Sequence, residues 1–165
     1  MKLLKFGRGN AKLGKDTYTF SLPAGFTCPF AKDCLSKANR ATGKIEDGPN
    51  TLFRCFAASQ EVIYKNVRES RWGNLELLKK AKSDDAVIGM FNLIWDSIPK
   101  KAKKIRIHVS GDFFSQAYFD SWVAVARNKP DILFYAYTKA LPYWLNADIP
   151  TNLVLTASYG GTNDG

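Results

Sequence analysis

Cys28, Cys34 and Cys55 are the chain's three cysteines, and they lie within 28 residues of one another. Five residues separate the first pair and twenty the second. An odd number leaves one thiol over in any disulfide framework, and a cytosolic chain keeps its thiols reduced. A buried free cysteine behaves as a small hydrophobe, and that reading suits Cys55 best. It suits Cys28 and Cys34 less well, because Pro23, Gly25 and Pro29 surround them in a turn-rich stretch. Thiolates are soft ligands that select zinc or iron–sulfur clusters. A structural zinc site takes four ligands, usually as CxxC pairs. Here there is no CxxC, so zinc would need the single histidine, His108, as its fourth ligand. Three cysteines also suit a [4Fe-4S] cluster, each holding one iron and leaving the fourth open to a small molecule. Lys32, Lys37, Arg40 and Arg54 are the nearby cations that would balance its charge. A chain with reduced cysteines and no metal is the third reading.

Two further groups sit next to segment ends. Ser110-Gly111-Asp112 follows an alternating run, and Lys139 follows another. Asp112 there either receives the ammonium group of a ligand or caps the helix that follows. Lys139 either contacts an anion or is solvated. Tyr135, Tyr137, Tyr143 and Trp144 read as packing residues or as a platform for stacking bases. Several activities have no support. One histidine beside Ser110 on the same segment makes no hydrolase triad. Neither GxxxxGK[ST] nor GxGxxG occurs, so no P-loop or dinucleotide fingerprint is present.

The elements that must position these groups follow from periodicity. Residues 17–22 alternate and are rich in β-formers, which predicts a short strand. Residues 23–54 carry six Pro and Gly residues and read as a long loop that something must hold. Residues 52–82 have helical spacing, with Gly73 as the expected break. Ser83-Asp84-Asp85 opens a further helix whose stripe is Val87, Phe91, Ile94 and Ile98. Residues 104–110 alternate strictly, placing Ile105, Ile107 and Val109 on one face and Arg106, His108 and Ser110 on the other. A helix from Ser115 or Gln116, a strand over 132–137, a short link and a strand over 153–157 complete the order. Strands alternating with helices predict an α/β fold of parallel βαβ units, as an open sheet or a partial, truncated barrel. The carboxyl ends of such strands form the functional rim, and the cysteine loop is expected there.

Composition sets the class. The 165 residues are 45% hydrophobic and 13% aromatic, enough for a packed core and against disorder. They are read as one domain over 1–165, with 1–16 as a mobile basic arm or an irregular edge segment. No apolar run is long enough to span a membrane, and the first residues lack the apolar core of a signal peptide. A cytosolic protein with no membrane partner is expected. The net charge is +9, and all of it falls in residues 1–82. That excess is either a solvated surface or a patch for a polyanion such as nucleic acid.

Five segments resemble one known family: SLPAGFTCPFAKDC at 21–34, FRCFAASQE at 53–61, RIHVSGDFFS at 106–115, FYAYTKALPYW at 134–144 and LVLTASYGG at 153–161. They are similar to the bacteriophage gene product 88-like proteins, over roughly residues 20–161. That resemblance implies a phage protein acting in the host cytoplasm, in a form shorter than its relatives. A looser resemblance links the cysteines and Ser110-Gly111-Asp112 to the radical S-adenosylmethionine (SAM) fold. It implies a [4Fe-4S] cluster on Cys28, Cys34 and Cys55, with SAM near the Gly/acid motif and radical SAM-like activity. The sequence reading is therefore an iron–sulfur protein with a redox or radical role. Its metal set is Cys28, Cys34, Cys55 and His108, and its cofactor contacts are Ser110, Gly111, Asp112 and Lys139. The alternative is a basic nucleic-acid-binding module with a structural metal site.

Overall fold

A computed structural model of the chain describes residues 1–9, 12–50, 52, 54–81 and 84–164. The main sheet has five strands: β1 (Gly7–Arg8), β2 (Thr17–Phe20), β5 (Lys104–Ile107), β6 (Leu133–Thr138) and β7 (Leu153–Ala157), in that spatial order. β2, β5, β6 and β7 are parallel, and only β1 at the edge runs antiparallel to β2. The sheet is open, as the alternation of strands and helices implies, and it does not close into a barrel. A second, two-stranded ribbon pairs β3 (Lys37–Ala38) with β4 (Ile45–Glu46). The helices are α1 (Phe56–Ile63), α2 (Lys65–Lys80), α3 (Ala86–Ser97), α4 (Gln116–Asn128) and α5 (Leu141–Leu145). None is long and apolar enough to cross a membrane among the described residues.

One face of the sheet is the core. Phe20, Ile105, Ile107 and Phe134 are fully buried there, packed with Trp122, Phe119 and Ile94 from α4 and α3. Register explains the choice: Tyr18, Ile105, Phe134 and Leu153 are mutual neighbours across four strands, so the apolar half of each alternation falls on one side. The first residues form the edge rather than a free arm. Leu4 is buried, its amide donates to Ser97 Oγ at 2.9 Å, and the Asn74 side chain bonds both the amide and the carbonyl of Lys5.

Four expectations shift. The helical run of 56–80 breaks at Tyr64, not at Gly73. Tyr64 is extended (φ −110°, ψ 99°), and the break lets Arg68 and Arg71 of α2 reach back to α1. Of the expected stripe in α3, Ile94 and Ile98 are buried while Val87 and Phe91 are only half-buried; Met90, Leu93 and Ser97 complete the covered side. Its cap is Asp85, whose carboxylate accepts from the Val87 amide at 2.8 Å; Ser83 lies outside the described residues. The β3–β4 ribbon occupies part of what reads as loop. Finally, β5 stops at Ile107, because His108 adopts φ +64°. That left-handed residue ends the alternation. His108 turns inward and is buried, while Val109, expected beside Ile107, is substantially exposed.

Candidate functional site

The segment leaving β5 makes a tight turn that only glycine permits. Gly111 has φ +81°, and a Cβ there would collide with Thr27 Oγ1 and come within 2.9 Å of Leu22 Cβ. Asp112 follows and is buried. Its Oδ1 accepts from the Phe113 amide (2.8 Å) and the Thr138 hydroxyl (2.6 Å), and its Oδ2 accepts from the Lys139 amide (2.9 Å). These bonds clamp the turn after β5 to the end of β6. Burial raises the Asp112 pKa, and the three bonds oppose that rise.

A second carboxylate lies deeper. Glu61 of α1 is fully buried and accepts from the Ala24 amide (3.1 Å), Ser110 Oγ (3.1 Å) and Arg71 Nη1 (2.9 Å). Arg71 is itself buried and also donates to Gln60 Oε1 and the Ala57 carbonyl. One side chain thus joins the loop after β2, the turn after β5, α1 and α2. The same loop is pinned to the far end of the chain: Lys32 and Asp33 donate to the Gly160 carbonyl at 2.8 and 3.1 Å, and the Thr162 amide donates to the Phe30 carbonyl at 2.9 Å.

These ties leave a cavity of about 120 Å³ lined by Cys28, Cys34, Cys55, Ser110, Gly111, Asp112, Lys139 and Tyr137, among others. Seven of the eight residues proposed from sequence therefore share one cavity. His108 does not. Its Nε2 bonds the Tyr118 hydroxyl at 2.8 Å, its ring packs against Phe113, and burial lowers its pKa to about 3. It is a neutral core residue, so the Cys3His zinc set fails at its fourth member.

The metal reading as a whole is overturned. Among the described residues, no group of three or more His, Cys, Asp or Glu side chains is placed to hold a metal ion. The cysteines wall one cavity without converging on a point. The iron–sulfur protein with a redox or radical role is withdrawn on this finding, as is the module organised by a structural metal. Three of the four cations offered as its counter-charges are engaged elsewhere. Arg40 pairs with Glu76 and Glu69, Arg54 with Asp47 at 2.7 Å, and Lys37 lies over the Phe26 ring.

Cys28 and Cys34 are held protonated. Burial, reinforced by the Asp112 carboxylate, pushes Cys28 up to about 12. Burial also raises Cys34, against a lowering influence from Lys139. A thiol with its folded pKa above its unfolded value stabilises the fold below the unfolded pKa and loses that contribution as pH climbs towards the folded one. The melting temperature should therefore fall between about pH 9 and 12, and a Cys28→Ala variant should show a shallower fall. Parallel curves for the two proteins would show that Cys28 is not the group responsible.

Sequence reasoning missed Glu61 and Arg71. Nothing in their type or spacing marks them off from the solvated charges of an ordinary helix. Tyr137, which the sequence places at the end of a strand as a packing or stacking residue, borders this cavity.

The open, mostly parallel sheet with a small cavity beside its strand ends places the chain among the α/β proteins. Within that class, the chain belongs to the bacteriophage family described as Gene product 88, which it matches over residues 2–165. It is 33% identical over 138 residues to the Gene 88 protein of Mycobacterium phage L5, covering 79% of this chain and 51% of that protein. It is likewise 33% identical over 156 residues to the Gene 88 protein of Mycobacterium phage D29, covering 89% of this chain and 58% of that protein. The chain thus spans a little over half the length of the curated relatives it matches. No solved structure matches it. The looser resemblance to the radical SAM fold has no support in these matches.

Proposed function

We propose that this is a small-molecule-binding protein of the phage, acting in the host cytoplasm. Its ligand enters the thiol-walled cavity, with the cysteine loop seated at the carboxyl rim of the sheet. The observation that carries this reading is convergence: segments around residues 28–34, 55, 110–112 and 139 meet on one cavity. Open α/β sheets bind ligands outside the carboxyl ends of their strands. The volume equals that of about four water molecules, which suits a small polar molecule or one end of a larger one. Lys139 supplies the ammonium that would meet an anionic group, with its Nζ now 3.1 Å from Ser158 Oγ. Ser110 and Gly111 form the adjacent wall. Asp112 accepts from Thr138, Phe113 and Lys139 and so positions the turn that forms this wall. The cysteine side chains give a soft, weakly polar surface.

The test is a melting-temperature screen with small amino acids, hydroxy acids and SAM, whose amino-acid end carries the carboxylate Lys139 would face. A ligand at 100 times its Kd should raise stability by about 2.7 kcal/mol. It should also slow alkylation of Cys34, and Lys139→Ala should abolish both effects. Failure of every compound to move the melting temperature or the alkylation rate would overturn the reading.

A further inference from the structure

Parallel sheets are normally covered on both faces. Here helices cover one. The other presents Thr19, Arg106, Tyr135 and Val154 as a row of in-register neighbours across β2, β5, β6 and β7. Tyr137 is 52% exposed and Val154 48%, so no described residue covers this side at those positions of β6 and β7. No strand position on this face is Asp or Glu.

Arg106 is the unusual member. It stands mid-sheet with no ion pair to any described residue, its Nε is buried without a hydrogen-bond partner, and its guanidinium lies 5.6 Å from the Tyr137 ring centroid. An unpaired cation there calls for an anion from outside the chain. At the β2 edge the face runs into an open groove of about 500 Å³ beside α2, lined by Thr19 and Ser21 together with Lys5, Asn66 and Ser70. That groove also has no acidic residue in its lining.

We infer that this open sheet face and its groove bind single-stranded nucleic acid. Arg106 and Lys104 meet the phosphates, and Tyr137 and Tyr135 stack on bases. The two tyrosines are alternate residues of one strand, so they stand about 6.6 Å apart, near one stretched nucleotide step. Aromatic platforms beside a cationic groove bind single strands through base stacking and phosphate contact. A second copy of the chain is a poorer occupant, since two-fold pairing would bring Arg106 and Lys104 of both copies together with no carboxylate on the face. The surface is distinct from the thiol cavity, although Tyr137 borders both. It needs no metal and does not depend on the ligand proposed above.

The experiment is fluorescence anisotropy of the full chain with labelled 20-mers of dT and U. Binding should weaken steeply as salt rises. Tyr137→Ala should weaken it by about tenfold. Arg106→Gln should weaken it and reduce the log–log salt slope by about 0.7. Lys79→Gln, on exposed α2 surface away from this face, should leave it unchanged. Thermal melts confirm that each variant is folded, and Tyr137→Phe should restore binding. The inference is overturned by no binding at low salt. It is equally overturned by variants that bind like the parent, which would mean diffuse attraction to the basic surface. Tighter binding to duplex than to single strand, or equal binding to a poly-glutamate peptide, would also overturn it.

Discussion

Glu61→Ala should cost about 3–5 kcal/mol, the largest loss expected from any single polar substitution in this chain. The reason is what it leaves behind. Arg71 stays buried with no carboxylate, and the Ala24 amide and Ser110 hydroxyl lose their acceptor. A protein of this size is stable by roughly 5–15 kcal/mol, so the variant should lose a large share of its cooperative unfolding free energy in urea. Two companions separate the causes. Glu61→Gln keeps an acceptor but loses the charge, and should fall between parent and alanine variant. The double variant Glu61→Leu with Arg71→Met removes both charges together, and should recover more than half of the loss, because the desolvation penalty goes with them. A Glu61→Ala loss below about 1 kcal/mol would show that Arg71 finds another partner or water, and that the four segments are not joined through this carboxylate.

Gly111→Ala should be nearly as damaging, at about 2–5 kcal/mol, for a different reason. The left-handed φ costs a side-chain-bearing residue about 1–3 kcal/mol, and the added methyl must displace Thr27 and Leu22, costing a similar amount. The functional consequence follows from position. Ser110 and Asp112 flank this glycine, so any relaxation of the turn moves the Asp112 clamp and the cavity wall together. A folded Gly111→Ala protein should therefore lose ligand-induced stabilisation while unfolding at lower urea. Gly73→Ala provides the contrast. Gly73 lies inside α2 with open space where its Cβ would stand, so that change should stabilise by roughly 0.5–1 kcal/mol through helix propensity. If both glycine variants melt at the parent temperature, backbone conformation at 111 does not hold the site.

The sequence by itself determined the alternation of strands and helices. Strict alternation at 104–107, helical spacing in α4 and the Ser115 cap are local signals, and each was legible because a single period fixes which side chains face the core. It also determined which residues meet: Cys28, Cys34, Cys55, Ser110, Gly111, Asp112 and Lys139 all adjoin segment ends that a parallel sheet gathers on one side. Tertiary structure alone decided what that gathering is. A metal site needs sulfurs converging within bonding distance, and no sequence spacing across a twenty-residue interval can specify that convergence. His108 left the predicted face because one positive φ reversed its side chain, and that angle depends on packing against Tyr118 and Phe113. Glu61 and Arg71 became a buried pair because α1 and α2 fold back at Tyr64, bringing residues ten apart into contact. Such pairs are set by how elements dock, and an isolated helix carrying the same two residues would leave both in water.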